Sequence, residues 1–152
     1  MTNKNLVFKP KSKKLTEKKD TASFTLHCYP SDDTRINQIY VDVDDFLFLY
    51  LAYGIVINQT GLDMYEGDSL KKEDWLKLLN EARKLARFDT FQNMYDYVQQ
   101  KKIEIDRFYY NLEENSEYIW NECEEINIML DDLFAWTEFV MKDGDEIEIL
   151  GL

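Results

Sequence analysis

The chain has little of what recognisable active sites are built from: one histidine, two cysteines and five glycines among 152 residues. No Gly-rich phosphate loop occurs, nor any G-x-S-x-G or H-E-x-x-H sequence, so the familiar kinase, hydrolase and zinc signatures are absent. The lone His27 neighbours Cys28 in a stretch that alternates like a strand. Strand neighbours point to opposite faces, so the two cannot line one site as nucleophile and base. Cys28 and Cys123 lie far apart without C-x-x-C spacing, which fits reduced, buried thiols in a cytoplasmic protein better than a disulfide framework. Long apolar runs are missing too. The most hydrophobic stretch, Phe46 to Ile57, has twelve residues and is interrupted by Gly54, short of the roughly 20 needed to cross a bilayer. The N-terminal lysines are followed by no apolar segment with a small-residue cleavage site, so they do not read as a secretory signal.

What the chain does have is segregated charge. The first twenty residues carry seven lysines against Glu17 and Asp20, a net of +5, whereas all later residues hold 11 basic and 28 acidic side chains, a net of −17. Such segregation speaks about partners rather than fold. Ten Tyr, nine Phe and three Trp argue that the acidic part folds, because disordered acidic segments are poor in aromatics. The organisation expected is a basic, mobile arm over residues 1–20, with a short strand at Leu6 to Phe8 as its only candidate structure, followed by one acidic domain over 21–152.

Within the domain, Phe24, Leu26 and Cys28 alternate with Thr25, His27 and Tyr29, which is strand periodicity. Pro30-Ser31-Asp32-Asp33 supplies a turn, and Ile39, Val41 and Val43 alternate as the antiparallel partner. Phe46 to Leu51 reads as a buried helix capped by Asp44 or Asp45, with a third strand as the alternative. Asn58 to Asp68 reads as a loop. Ser69 opens a helix with Trp75, Leu78, Leu79, Ala82, Leu85 and Ala86 on one stripe. Asp89 and Gln92 resemble a capping box for a second, with Phe91, Met94, Val98, Ile105, Tyr109 and Leu112 on its stripe. Asn115 or Ser116 starts a third helix running to about Lys142 before Gly144. Ile147 and Ile149 alternate in a short last strand that returns to the N-terminal sheet. The expected fold is therefore α+β, a small antiparallel sheet made of the N-terminal hairpin and the C-terminal strand, packed with three or four helices.

Metal chemistry has weak candidates. Asp42-x-Asp44-Asp45 has the look of carboxylate pairs that hold a divalent cation, against a reading in which Asp42 faces solvent and Asp44 and Asp45 cap the next helix. Asp143-Gly144-Asp145-Glu146 lacks the glycine and glutamate positions of a calcium loop, and Glu17-Lys18-Lys19 has no strand to hold it. No cofactor or metal is expected.

The third helix carries the specific signal. Ile119, Cys123, Ile126, Leu130, Leu133, Phe134 and Val140 gather on one face, while Glu117, Glu124, Asp131 and Glu138 form a row seven residues apart, about 10.5 Å of rise each. Glu125 and Asp132 make a second row, with no Lys or Arg between Tyr118 and Met141. Trp120, Ile128 and Phe139 fall on or beside this acidic face, where a purely solvated surface has no use for them. Either another element packs there, the net positive stretch Lys71 to Arg87 being the obvious one, or these residues anchor a basic partner. The function expected from this is non-enzymatic: an intracellular protein that neutralises a basic partner, a toxin or a nucleic-acid enzyme, by occlusion, as an immunity protein blocks a bacterial nuclease toxin. The acidic body should bind neither nucleic acid nor membrane directly. The alternatives are a phage-type nucleic-acid mimic that inhibits a restriction or CRISPR enzyme, and a metal-dependent enzyme using Asp42, Asp44 and Asp45. The basic arm either meets an anionic surface, folds back on the acidic body or aids solubility.

Overall fold

The computed structural model describes residues 8–12, 14–15, 23–29, 38–105, 109 and 112–151. The segments expected as a strand at Leu6 and Val7, as the Glu17-Lys18-Lys19 motif and as the Pro30 to Asp33 turn lie outside the described residues, as does most of the stretch between Ile105 and Leu112. The fold is α+β. Strands β1 (Ser23–Tyr29), β2 (Gln38–Asp42), β3 (Asp68–Lys71) and β4 (Glu146–Leu150) form one antiparallel sheet in the order β2-β1-β4-β3. The alternation of each strand decides its register. Phe24 lies opposite Val41, Leu26 between Ile39 and Ile149, and Cys28 and Leu70 both opposite Ile147, so every apolar residue of the four strands except Leu150 and the tyrosines faces the core. The other face carries Thr25, His27, Tyr29, Tyr40 and Glu148, with His27 Nδ1 3.2 Å from Glu148 Oε1.

β3 replaces the end of the expected loop and the first turn of the expected helix at Ser69. Four residues, of which only Leu70 is buried, give no visible alternation, and the strand exists because β4 offers it a free edge. Its entry needs Gly67: the residue has φ +71°, and a Cβ there would lie 1.8 Å from the Ile149 carbonyl oxygen.

Helix α1 (Leu47–Val56) is buried without a break from Leu47 to Gly54, so it is the apolar rod at the centre of the core rather than a third strand. Phe46 precedes it with its ring stacked 4.0 Å from Phe24, and no side chain caps it, contrary to the role expected of Asp44 or Asp45. Helix α2 (Lys72–Ala86) buries the expected stripe and joins the last long helix through Trp75 Nε1, which donates to Thr137 Oγ1 at 2.8 Å. Helix α3 (Phe91–Gln100) is capped by Thr90, whose Oγ1 accepts from Asn93 N, and not by Asp89, whose carboxylate accepts from Thr90 N and the Asn93 side chain. It stops well before Leu112, with Lys102 in the left-handed region at φ +54°.

The expected third helix is two: α4 (Ser116–Asn121) and α5 (Cys123–Val140), broken at Glu122. The buried side of α5 is Ile126, Met129, Leu130, Leu133, Trp136 and Thr137. Met129 and Trp136 thus take the core places expected of Cys123, Phe134 and Val140, which are only half-buried. Among the described residues no helix is long and apolar enough to cross a membrane.

The basic N-terminal stretch does not stand clear of the domain throughout. Residues 8–15 run antiparallel along α5, with Phe8 beside Phe139 (ring centroids 6.1 Å), Lys11 and Ser12 at Asp132, and Lys14 at Glu122. Leu15 is 4% exposed and joins the core.

Candidate functional site

The acidic face singled out in the sequence splits into two regions. In the first, the carboxylates are answered from within the chain. Asp131 receives Arg83 at 2.6 Å and Arg87 at 3.4 Å, both from the end of α2. Arg83 also lies 4.1 Å from the centroid of the Phe134 ring, and Asn127 donates to the Ala86 and Cys123 carbonyls, so this seam is a helix–helix contact. Asp132 is 5% exposed, and its two oxygens accept the backbone N–H groups of Lys11 at 3.0 Å and Ser12 at 2.7 Å. A carboxylate so placed is a structural acceptor rather than a surface charge. Phe139 meets Phe8, and Trp120 packs edge-on against Phe91 at 6.2 Å. Ile128 is half-buried one turn before Asp132 on the same stripe. Four of the residues expected to meet a partner, Trp120, Asp131, Asp132 and Phe139, are therefore engaged by other parts of this chain.

In the second region carboxylates from two distant parts of the chain gather in one place. The turn after β2 is closed by Phe46 N donating to the Asp42 carbonyl at 3.0 Å, and it holds Asp44 and Asp45 out beyond the sheet edge. They face the break between α4 and α5, where Glu122 ends one helix and begins the next with φ −91° and ψ −2°. Between the two lies a cleft of about 460 Å³ lined by Asp42, Asp44, Asp45, Glu122, Glu125, Tyr118 and Lys14. Lys14 bridges Asp45 at 2.8 Å and Glu122 at 3.1 Å, with its side chain 16% exposed. Burial pulls its pKa down, but the hydrogen bonds and charges of Asp45 and Glu122 outweigh burial and raise it above 10.5. Five of the lining residues carry carboxylates and Lys14 is the basic side chain among them, with Asp42 and Asp45 making further interactions of their own. Beside the cleft, sharing Asp44 and Tyr118 with it, an apolar dent of about 240 Å³ is floored by Leu47, Tyr109, Leu112 and Ile119. Tyr118 is 62% exposed on the ridge between the two.

Of the expected site residues, Glu125 lines the cleft, while Glu117, Glu124 and Glu138 are exposed on α4 and α5 without a described cation beside them. Glu124 and Glu125 occupy the first turn of α5, where they also favour its positive end. Sequence reasoning missed Lys14, Glu122 and Tyr118 as site residues. The signal for Glu122 was hidden because nothing in Asn121-Glu122-Cys123 breaks a helical pattern.

Other candidate chemistry resolves into structure. Among the described residues no group of three or more His, Cys, Asp or Glu is placed to hold a metal ion. Cys28 is buried on the core face with its thiol near the Val140 carbonyl and Asp145, and burial, then the Asp145 charge and hydrogen bond, push its pKa up to about 12. Cys123, half-buried, is pushed up to about 11 by burial, and neither cysteine is in a disulfide. Both shifts are the opposite of what activates a thiol nucleophile. In a wider concavity of about 780 Å³ near Tyr50 and Tyr53, two of the three carboxylates are committed locally: Asp63 accepts the N–H groups of Tyr65 and Glu66, and Asp68 accepts from Tyr53 at 2.6 Å, while Glu104 lines it as well.

No family model matches the chain, and no curated protein or solved structure is significantly similar to it.

Proposed function

We propose that this protein is a non-catalytic binding protein that occludes a basic protein, in the manner of an immunity protein holding a bacterial nuclease toxin inactive. The observation that carries the reading is the cleft at the α4–α5 break. There Asp44, Glu122 and Glu125 converge with Asp42 and Asp45 beside an exposed tyrosine and a dent floored by Leu47, Leu112 and Ile119. Carboxylates on both walls of a concave site focus a negative potential, which steers a basic partner to it and accelerates encounter. Lysine or arginine side chains of the partner would enter between Asp44, Asp45, Glu122 and Glu125. Tyr118, with its flat apolar ring and polar tip, is of the type that anchors interfaces. An electropositive nuclease surface is the kind of target that such a cleft covers, and covering it is sufficient to block substrate. The presence of Tyr118 and the dent beside the charge favours a protein interface over a nucleic-acid mimic, which relies chiefly on charge.

The test is capture with the immobilised full chain, identification of the captured protein and titration of it against wild type and against a variant carrying Asp44→Lys, Glu117→Lys, Glu124→Lys and Glu125→Lys. A basic partner whose affinity drops about 100-fold or more in the variant supports the reading. An acidic partner, or affinity unchanged by the four substitutions, overturns it.

A further inference from the structure

The segment from Phe8 to Leu15 is attached to α5 at points that do not make it an ordinary piece of core. Its described residues form no helix or strand, and of them only Ser12 and Leu15 are buried. Its other attachments are a ring contact from Phe8 to Phe139, a pair of backbone N–H groups on Asp132, and the Lys14 ammonium on Asp45 and Glu122. Ser12 Oγ accepts from Lys14 N at 3.0 Å and shapes the turn that presents this lysine. The amide and ammonium contacts use groups that any lysine-containing peptide possesses, and the ring contact asks only for an aromatic side chain in addition. The segment is also drawn from the basic end of the chain, so its charge is that of the partner proposed above, and it touches Phe139 and Asp132 on α5 as well as Asp45 and Glu122 in the acidic cleft.

We propose that residues 8–15 are a strap holding the partner's place: Lys14 occupies in cis the position that a lysine of the basic partner takes in trans, and the partner binds by displacing the strap from Asp45, Glu122 and the α5 stripe. This rests on the occlusion reading and adds its regulation. The strap keeps Asp132 and the apolar stripe covered while no partner is present. It also sets a threshold, because the apparent affinity for any ligand of the groove is reduced by the fraction of molecules whose strap is open. Only a partner with enough basic and apolar contact to outcompete a tethered segment would open it.

The probe that tests this without knowledge of the partner is a fluorescent synthetic peptide of residues 8–15, titrated into the full chain and into the full chain carrying Phe8→Ala and Lys14→Gln. Phe8→Ala lies in the strap alone, and Lys14→Gln withdraws the strap's ammonium from the cleft while Asp45, Glu122 and Asp132 stay in place. The peptide should bind the double variant at least about tenfold more tightly than wild type. That gain should vanish when Asp45→Asn and Glu122→Gln are added. Amide hydrogen exchange gives the second readout: the N–H groups of Lys11 and Ser12 should exchange faster in the double variant, and faster in wild type as peptide is added. Equal affinity for both chains, no binding to either, or peptide binding with the Lys11 and Ser12 amides still protected would overturn the proposal, a melting curve having confirmed that the double variant is folded. The captured partner separates the two levels. If it loses affinity with the four cleft reversals but gains none with the strap substitutions, occlusion stands and the strap proposal falls. If strap and peptide compete yet the partner ignores the cleft reversals, the occlusion reading falls.

Discussion

Asp131 and Asp132 in the middle of α5 and Glu117, Glu124 and Glu125 around its start belong to the same rows of carboxylates in the sequence, and they meet different surroundings. The first pair is answered by Arg83, Arg87 and the amides of the strap. Of the second group Glu125 lines the cleft, and Glu117 and Glu124 are exposed with no described cation beside them. The difference teaches that the sign of a residue says little about its job until its partners are known. A carboxylate paired and buried is part of the fold, and its loss leaves donors without an acceptor. A carboxylate left among others of its sign adds repulsion to the folded state and becomes useful only when a cation arrives from outside.

The sharpest way to break this comparison is to reverse charge in each region. Lysine at Asp44, Glu117, Glu124 and Glu125 should slow association with a basic partner by about 10- to 1,000-fold, while urea unfolding moves by no more than about 1 kcal/mol, because these charges are exposed. A stability loss well beyond that would mean that the open region is also holding the fold together. In the answered region the order inverts. Asp132→Ala should cost about 2 to 3 kcal/mol in urea unfolding, since the two backbone N–H groups lose a charged acceptor, whereas Glu124→Ala should change stability by less than about 0.5 kcal/mol. Comparable losses for the two would erase the distinction.

The aromatic residues extend the comparison. Tyr118→Ala should leave the melting curve unchanged and speed dissociation of the partner at a cost of about 2 kcal/mol in binding. Phe139→Ala should lower stability by about 1 kcal/mol through its contact with Phe8. A Tyr118 variant that melts early would place that ring in the fold instead.

The smallest expected effect is alkaline. Because the folded-state pKa of Lys14 is raised above its ordinary 10.5, its link to Asp45 and Glu122 is fully present below that value and is lost as pH rises through the higher folded value. Wild type should therefore be more stable than Lys14→Gln by a constant margin from neutral pH up to about 10.5, and the margin should shrink beyond it. A margin that already fades near neutral pH would show that the lysine is not held as described.

How far these regions were legible in the sequence follows from the physics of each. Period-two runs in β1, β2 and β4 and the stripe of α2 were readable because one face is buried and the other is not, which writes itself into the residue order. β3 was not readable, since a four-residue edge strand with one buried side chain has no period. The break at Glu122 and the end of α3 at Gln100 are imposed by packing rather than by Gly or Pro, so no local signal marks them. The acidic rows on α4 and α5 were visible from spacing alone, and the docking of α2 against them was foreseeable from its net positive charge. The strap was not, because its attachment uses backbone amides that every sequence has. The cleft could not be found by wheel or spacing either. It joins a turn at Asp44 and Asp45 to a helix break some 80 positions later, and only the folded chain brings them together.

The most direct test of the central claim, that the chain keeps one acidic region for itself and one for a partner, is the hydrogen-exchange footprint of the captured basic protein on the full chain. Added protection should appear over residues 42–46 and 116–125, with none gained along the α2–α5 seam of Arg83, Arg87 and Asp131. Protection confined to the outer sheet face around His27 and Tyr40, or to residues 58–68, would contradict the account.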